Sequence, residues 1–180
     1  MLATIVNPIW GALSVVALIL SALLLAARFS PALRQSSFGR FFADKGLLVA
    51  FVVSLLATAG SLIYSDVIGY EPCKLCWFQR IFMYPQVILM GIALWKKHDW
   101  MKTYGLALSC IGAAIALYHI SGQYGLAPLP CAAVGQSVSC AKEFVRTFGF
   151  ITIPAMSFSA FSLIATTLWL SIPWSTPSRT

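Results

Sequence analysis

The chain has 180 residues, 59% of them apolar and 9% charged, and its mean hydropathy is +0.85. Such a composition lies far from a water-soluble average and makes lipid the solvent for most of the chain. The net charge of +7 is no signature of nucleic-acid binding here. The basic residues sit in short gaps between apolar runs, where they orient a membrane protein.

A helix needs about 20 apolar residues to cross the hydrocarbon core. Pro8 to Ala27 is uncharged and forms the first predicted span. A second runs from Gly46 to Ser65, a third from Phe78 to Trp95, a fourth from Thr103 to Ser121 and a fifth from Phe148 to Trp174. The gaps hold turn-forming residues: Ser30, Pro31, Ser36, Ser37 and Gly39 in the first, Pro128, Pro130 and Gly135 in the last. A cleaved signal peptide would need a positive leader before its apolar core, and the first span lacks one and is followed at once by Arg28, so a retained anchor is expected.

Short loops rich in lysine and arginine stay cytoplasmic. Arg28, Arg34, Arg40 and Lys45 fill the first gap, and Lys96, Lys97 and Lys102 the third. The second gap, with Asp66, Glu71 and Lys74, and the fourth, with Lys142, Glu143 and Arg146, are far less positive. The expected topology therefore has the amino terminus outside and the tail with Arg179 inside.

With that topology Cys73, Cys76, Cys131 and Cys140 all fall on the outer side, where disulfides persist. Two residues separate Cys73 from Cys76, a spacing at which a small disulfide ring closes and reopens. Cys76 leads directly into the third span, so a helix amino terminus favours its thiolate. Arg80 stands one helical turn deeper on the same face. An ionisable residue at that depth is costly, which marks it as functional rather than a residue snorkelling to the interface. Its guanidinium suits a thiolate and the carbonyl oxygen of a quinone.

Cys131 and Cys140 bracket a stretch of small and turn-forming residues, including Ala132, Ala133, Gly135, Ser137 and Ser139. A disulfide there is either a static staple or a partner for exchange with the Cys73/Cys76 pair, and the neighbouring CxxC favours exchange. The eight residues between Cys131 and Cys140 suit zinc poorly, and no metal is expected. Cys110, inside the fourth span, is expected to pack in the core. His119 falls near the depth of Cys76 and Arg80, and its interfacial and proton-handling readings stand level.

The run Pro72-Cys73-Lys74-Leu75-Cys76-Trp77-Phe78-Gln79-Arg80, continuing Ile81-Phe82-Met83-Tyr84-Pro85, resembles the first redox loop of the DsbB family of bacterial disulfide-forming membrane proteins, most closely its BdbC-like branch. Phe148-Gly149-Phe150-Ile151-Thr152-Ile153-Pro154 resembles the segment by which that branch enters its last helix. The resemblance runs roughly from Gly46 to Trp174 and rests on several motifs together rather than on a bare CxxC.

The resemblance implies an all-α integral membrane fold: a four-helix transmembrane bundle over 46–174, one extra transmembrane helix and cytoplasmic loop over 1–45, and a cytoplasmic tail over 175–180. It implies a disulfide-generating oxidoreductase of the bacterial cytoplasmic membrane that reoxidises a thioredoxin-fold, DsbA-like thiol oxidase and passes the electrons to ubiquinone or menaquinone. Carried over by position, Cys131 meets the partner, Cys140 attacks Cys73, and Cys76 faces a quinone held by Arg80, with His119 and Gln123 as further quinone-site residues. The spacing of Cys131 and Cys140 is longer than the branch leads one to expect, which leaves their roles interchangeable. Vitamin K epoxide reductase-like proteins place the quinone-side CxxC after the loop pair, whereas here it comes first. A non-enzymatic membrane protein with two inert disulfides leaves the register of Arg80 with Cys76 unexplained.

Overall fold

A computed structural model describes residues 2–128 and 139–172. Helix α1 spans Leu2–Phe29, the short α2 Pro31–Gln35 and α3 Ser37–Leu62, continued by a wider π-helical turn over Ile63–Val67. Helices α4 (Lys74–Lys96), α5 (Met101–Gln123) and α6 (Ile153–Ser171) complete the bundle. Among the described residues no extended strand forms, and Thr147 and Ile151 meet in one isolated bridge.

Among the described residues four helices are long and apolar enough to cross a bilayer: Ala3–Phe29, Ser37–Val67, Met101–Gln123 and Ile153–Ser171. Helix α4 is as long as α5 at 23 residues but less apolar, because it carries Gln79, Arg80 and Gln86. Two of these are turned inward. Gln79 and Gln86 are buried, and the Gln86 carbonyl accepts a 2.9 Å hydrogen bond from the Ser109 hydroxyl of α5. A polar group facing hydrocarbon has no water to bond, so such residues must find partners between helices. Helix α4 accordingly packs between α3 and α5, and the fold is an all-α transmembrane bundle.

A predicted gap, a predicted helix end and the expected burial of one cysteine differ in the structure. The stretch from Ser30 to Lys45 is helical rather than a loop: Pro31 occupies the first turn of α2, and Ser36 caps α3 by accepting the Gly39 N–H at 3.1 Å. Its serines and proline are helix-start signals, which read as turn signals when taken by composition. Helix α6 begins at Ile153, not Phe148, because Pro154 fits the first turn of a helix and Phe148 and Gly149 take the left-handed conformation of a turn. Cys110 is exposed on the bundle's outer face rather than packed in the core. The buried positions of α5 run through Gly105, Ser109, Gly112, Ala116 and His119, and the residue after Ser109 points about 100° away from that stripe.

Helix α6 is the centre of the molecule, packed against α1, α3 and α5. One of its faces places Phe161, Ile164 and Leu168 against Leu47 and Ala50 of α3 and Met83, Met90 and Ala93 of α4. Another places Leu163 and Leu170 against Ala17, Leu24 and Ala27 of α1 and Phe42 of α3. Small residues permit these approaches, as expected where packing rather than water exclusion drives association. A Cβ on Gly112 would lie 2.3 Å from the Phe161 ring. Gly112→Ala therefore separates α5 from α6 and costs on the order of 1–3 kcal/mol. A lower thermal unfolding midpoint in detergent, partly restored by Phe161→Leu in the same chain, checks this.

Candidate active site

The antiparallel path of the chain brings the end of α3, the start of α4, the end of α5 and the start of α6 to one end of the bundle. Cys73 precedes α4 as its cap residue in extended conformation, and Cys76 sits in the first turn. Their sulfurs lie 3.1 Å apart as free thiols. Cys73 is buried and Cys76 half-buried. Cys140 is held in a disulfide, while Cys131 lies outside the described residues.

His119 joins these groups. Its Nε2 lies 3.0 Å from the Cys140 carbonyl oxygen and 3.8 Å from the Cys73 sulfur, and its Nδ1 lies 3.2 Å from the Gln79 amide nitrogen. A carbonyl oxygen only accepts, so Nε2 carries the proton. In the neutral ring Nδ1 then accepts from the Gln79 amide. The Cys73 sulfur, the Cys140 sulfur and a His119 nitrogen all lie within 4.8 Å of one another. This trio has the spacing of a metal site, but a disulfide sulfur offers no thiolate ligand. The same closeness suits exchange between sulfurs.

The Cys73 thiol is held well below the ordinary thiol range. The hydrogen bond from Cys76 is the main cause, burial opposes it, and His119 adds to the lowering. Sequence spacing alone pointed to Cys76 as the favoured thiolate; its hydrogen bond to Cys73 and the donor on His119 instead favour charge on Cys73 in the reduced pair.

Arg80 does not bond to Cys76. Its Nε donates to the Ser61 hydroxyl at 3.0 Å and an Nη to the Ser61 carbonyl at 3.2 Å, while the guanidinium lies over the rings of Trp77 and Tyr84. The Tyr84 hydroxyl also reaches Ser61, at 3.1 Å. Arg80 and Cys76 meet instead across a cavity of about 330 Å³, which His119 and Gln123 also line. Gln123 accepts from the Thr152 hydroxyl at 2.9 Å and so joins the end of α5 to the start of α6. Tyr64, Tyr70 and Phe144 stack in sequence beside the mouth.

Six of the seven residues singled out by sequence are thus gathered at one end: Cys73, Cys76, Cys140, Arg80, His119 and Gln123. Gln79 was missed as a partner of His119, although an amide three residues after Cys76 in an apolar run carried a signal. Ser61 gave none, since a serine in a membrane helix ordinarily bonds its own backbone.

The family model described as "Disulfide bond formation protein DsbB" matches residues 43–171. The chain belongs to the DsbB family. "Probable disulfide formation protein C" of Bacillus cereus is 43% identical over 122 residues, covering 68% of this chain and 88% of the relative. "Disulfide bond formation protein C" of Bacillus subtilis is 40% identical over 123 residues, covering 66% and 86%. No solved structure matches. Membership of the DsbB family makes this a membrane protein of disulfide formation.

Because the His119 donor helps hold the Cys73 thiolate, His119→Ala raises the Cys73 pKa and loses the thiolate at higher pH than wild type. The midpoint moves up by roughly one pH unit or more. Far-ultraviolet thiolate absorbance of the reduced protein, taken against Cys73→Ser as background, reads it directly.

Proposed function

We propose that this protein is the membrane oxidase that recharges an extracytoplasmic, thioredoxin-fold thiol oxidase and delivers the electrons to a membrane quinone. The observation that carries the reading is the placing of Cys73 between two sulfurs: its sulfur lies 3.1 Å from Cys76 and within 4.8 Å of the disulfide-bonded Cys140.

A thiolate of the partner attacks the Cys131–Cys140 disulfide, and the partner's second thiolate resolves the mixed disulfide, leaving both loop cysteines reduced. The Cys140 thiolate then attacks Cys73 in a Cys73–Cys76 disulfide and releases Cys76. Attack by Cys131 on Cys140 restores the loop disulfide and leaves Cys73 and Cys76 as thiols; the free thiols of Cys73 and Cys76 beside a disulfide-bonded Cys140 support this order. His119, donating from Nε2, steadies negative charge on Cys73 as the S–S bond breaks.

A quinone supplies the two-electron acceptor, and two protons accompany the electrons as the Cys73–Cys76 bond forms again. Two partner thiols and one quinone thereby become one partner disulfide and one quinol. The cavity fits such a molecule in kind: Cys76, Arg80, His119 and Gln123 line it together with Glu71, Lys142 and Glu143, and the side chains of α1, α3 and α6 that line the remainder are mostly apolar. Its volume of about 330 Å³ falls in the range of roughly 300–1,000 Å³ typical of small-molecule sites. The basic residues at the opposite end, Arg28, Arg34, Arg40, Lys45, Lys96, Lys97 and Lys102, support an extracytoplasmic cysteine end in the bacterial cytoplasmic membrane.

Purified protein supplied with a reduced thioredoxin-fold oxidase and either ubiquinone or menaquinone is expected to consume the quinone in a thiol-dependent manner. Cys76→Ser abolishes turnover, and before donor is added attack by Cys73 on the loop disulfide links Cys73 to Cys140 and releases the Cys131 thiol, visible by peptide mapping without reductant. Arg80→Ala lowers kcat/KM by roughly ten- to a hundredfold, the worth of a charged hydrogen bond. Permanent oxidation of both pairs with no turnover would instead make them static staples.

A further inference from the structure

Helix α1 lies outside the family match, which begins at residue 43, and it is more than an anchor. We propose that α1 is a wall of the quinone cavity and sets which prenyl tails the cavity accepts; this rests on the reading above that the cavity takes a quinone. Trp10, Leu13, Ser14, Val16, Ala17 and Leu20 all line the cavity. They span eleven residues, or about 15 Å of helix, running from the cysteine end toward the bilayer centre.

The chemistry changes along that length. Near Trp10 the facing residues are Ser61, Tyr64, Cys76 and Arg80, whereas farther in α1 faces Val53, Leu56 and Ala57 of α3 and Ala160 and Leu163 of α6. Polar groups beside Cys76, together with mostly apolar side chains along about 15 Å of α1, suit a ring with a hydrocarbon tail. A polar or peptide substrate would leave the deeper part unfilled and would gain nothing from a wall placed within the membrane.

The seating of α1 is specific. A Cβ on Gly60 would lie 3.0 Å from the Trp10 indole, so glycine lets that ring close against α3 beside Ser61, the residue that holds Arg80. The Ser14 and Ser21 hydroxyls bond to carbonyls of their own helix, Trp10 at 2.8 Å and Ala17 at 2.7 Å, and so present compact surfaces to the bundle. At the cysteine end the Thr147 hydroxyl donates to the Asn7 carbonyl at 3.4 Å.

The test compares two quinones with one head group, a tail-less form and a long-prenyl form, using the full chain and a reduced thioredoxin-fold oxidase as thiol donor. Ala17→Phe places a ring in the channel, and the ratio of long-tailed to tail-less KM is expected to rise about tenfold. Trp10→Ala with Leu13→Ala removes wall instead of adding to it and serves should Ala17→Phe fold poorly; the same ratio is expected to rise. Protection against thermal unfolding by the long-prenyl quinone, without thiol donor, should fall in parallel. Equal effects on both quinones, or none, would overturn the role of α1 and leave quinone reduction standing. Absence of wild-type turnover with either quinone would overturn both readings.

Discussion

Inside hydrocarbon a polar group must find its partner within the protein, and this structure is arranged around one such obligation. The His119 imidazole, buried near the end of α5, has two nitrogens to satisfy, and it does so with Gln79 of α4 and the backbone of Cys140. Those two bonds draw α4, α5 and the segment before α6 together at a single point. The Cys73 sulfur lies within reach of the same ring. The redox groups are thus gathered by the demand for hydrogen-bond satisfaction as much as by apolar packing.

A second arrangement of the same kind surrounds Arg80. Its guanidinium is held by both the hydroxyl and the carbonyl of Ser61, in the last turn of α3 before the π-helical segment, and is covered by two aromatic rings. Fixing the charge in this way limits the reorganisation required when an acceptor gains electrons nearby. The two clusters stand on different sides of the cavity. One holds the sulfurs of Cys73 and Cys140 close to His119, and the other lines the cavity.

What the sequence made legible depended on range. Runs of about 20 mostly apolar residues disclosed the spans, and the register of Cys73, Cys76 and Arg80 was readable because all three lie within two turns at the start of one helix. Local composition misled where a residue type has two uses. Serine and proline near residue 36 start helices instead of opening a loop, and Cys110 is apolar enough for either a core or a lipid-facing position. The contacts of His119 with Gln79 and Cys140, and of Arg80 with Ser61, join residues that are 19 to 40 positions apart. No periodicity carries that information. The cavity wall contributed by α1 is of the same kind, since it exists only once α1 lies against α6.

His119 holds Cys140 by the main chain, not by its sulfur. A carbonyl oxygen is unchanged when the side chain beside it is reduced, bridged to a loop cysteine or bridged to another molecule. The grip therefore reads no chemical state, and the segment carrying Cys140 can stay docked throughout the proposed cycle, in which its sulfur changes bonding partner repeatedly. Such a clasp works like a vice that holds the tool by its handle: the position of the working atom is kept while its valence is left free.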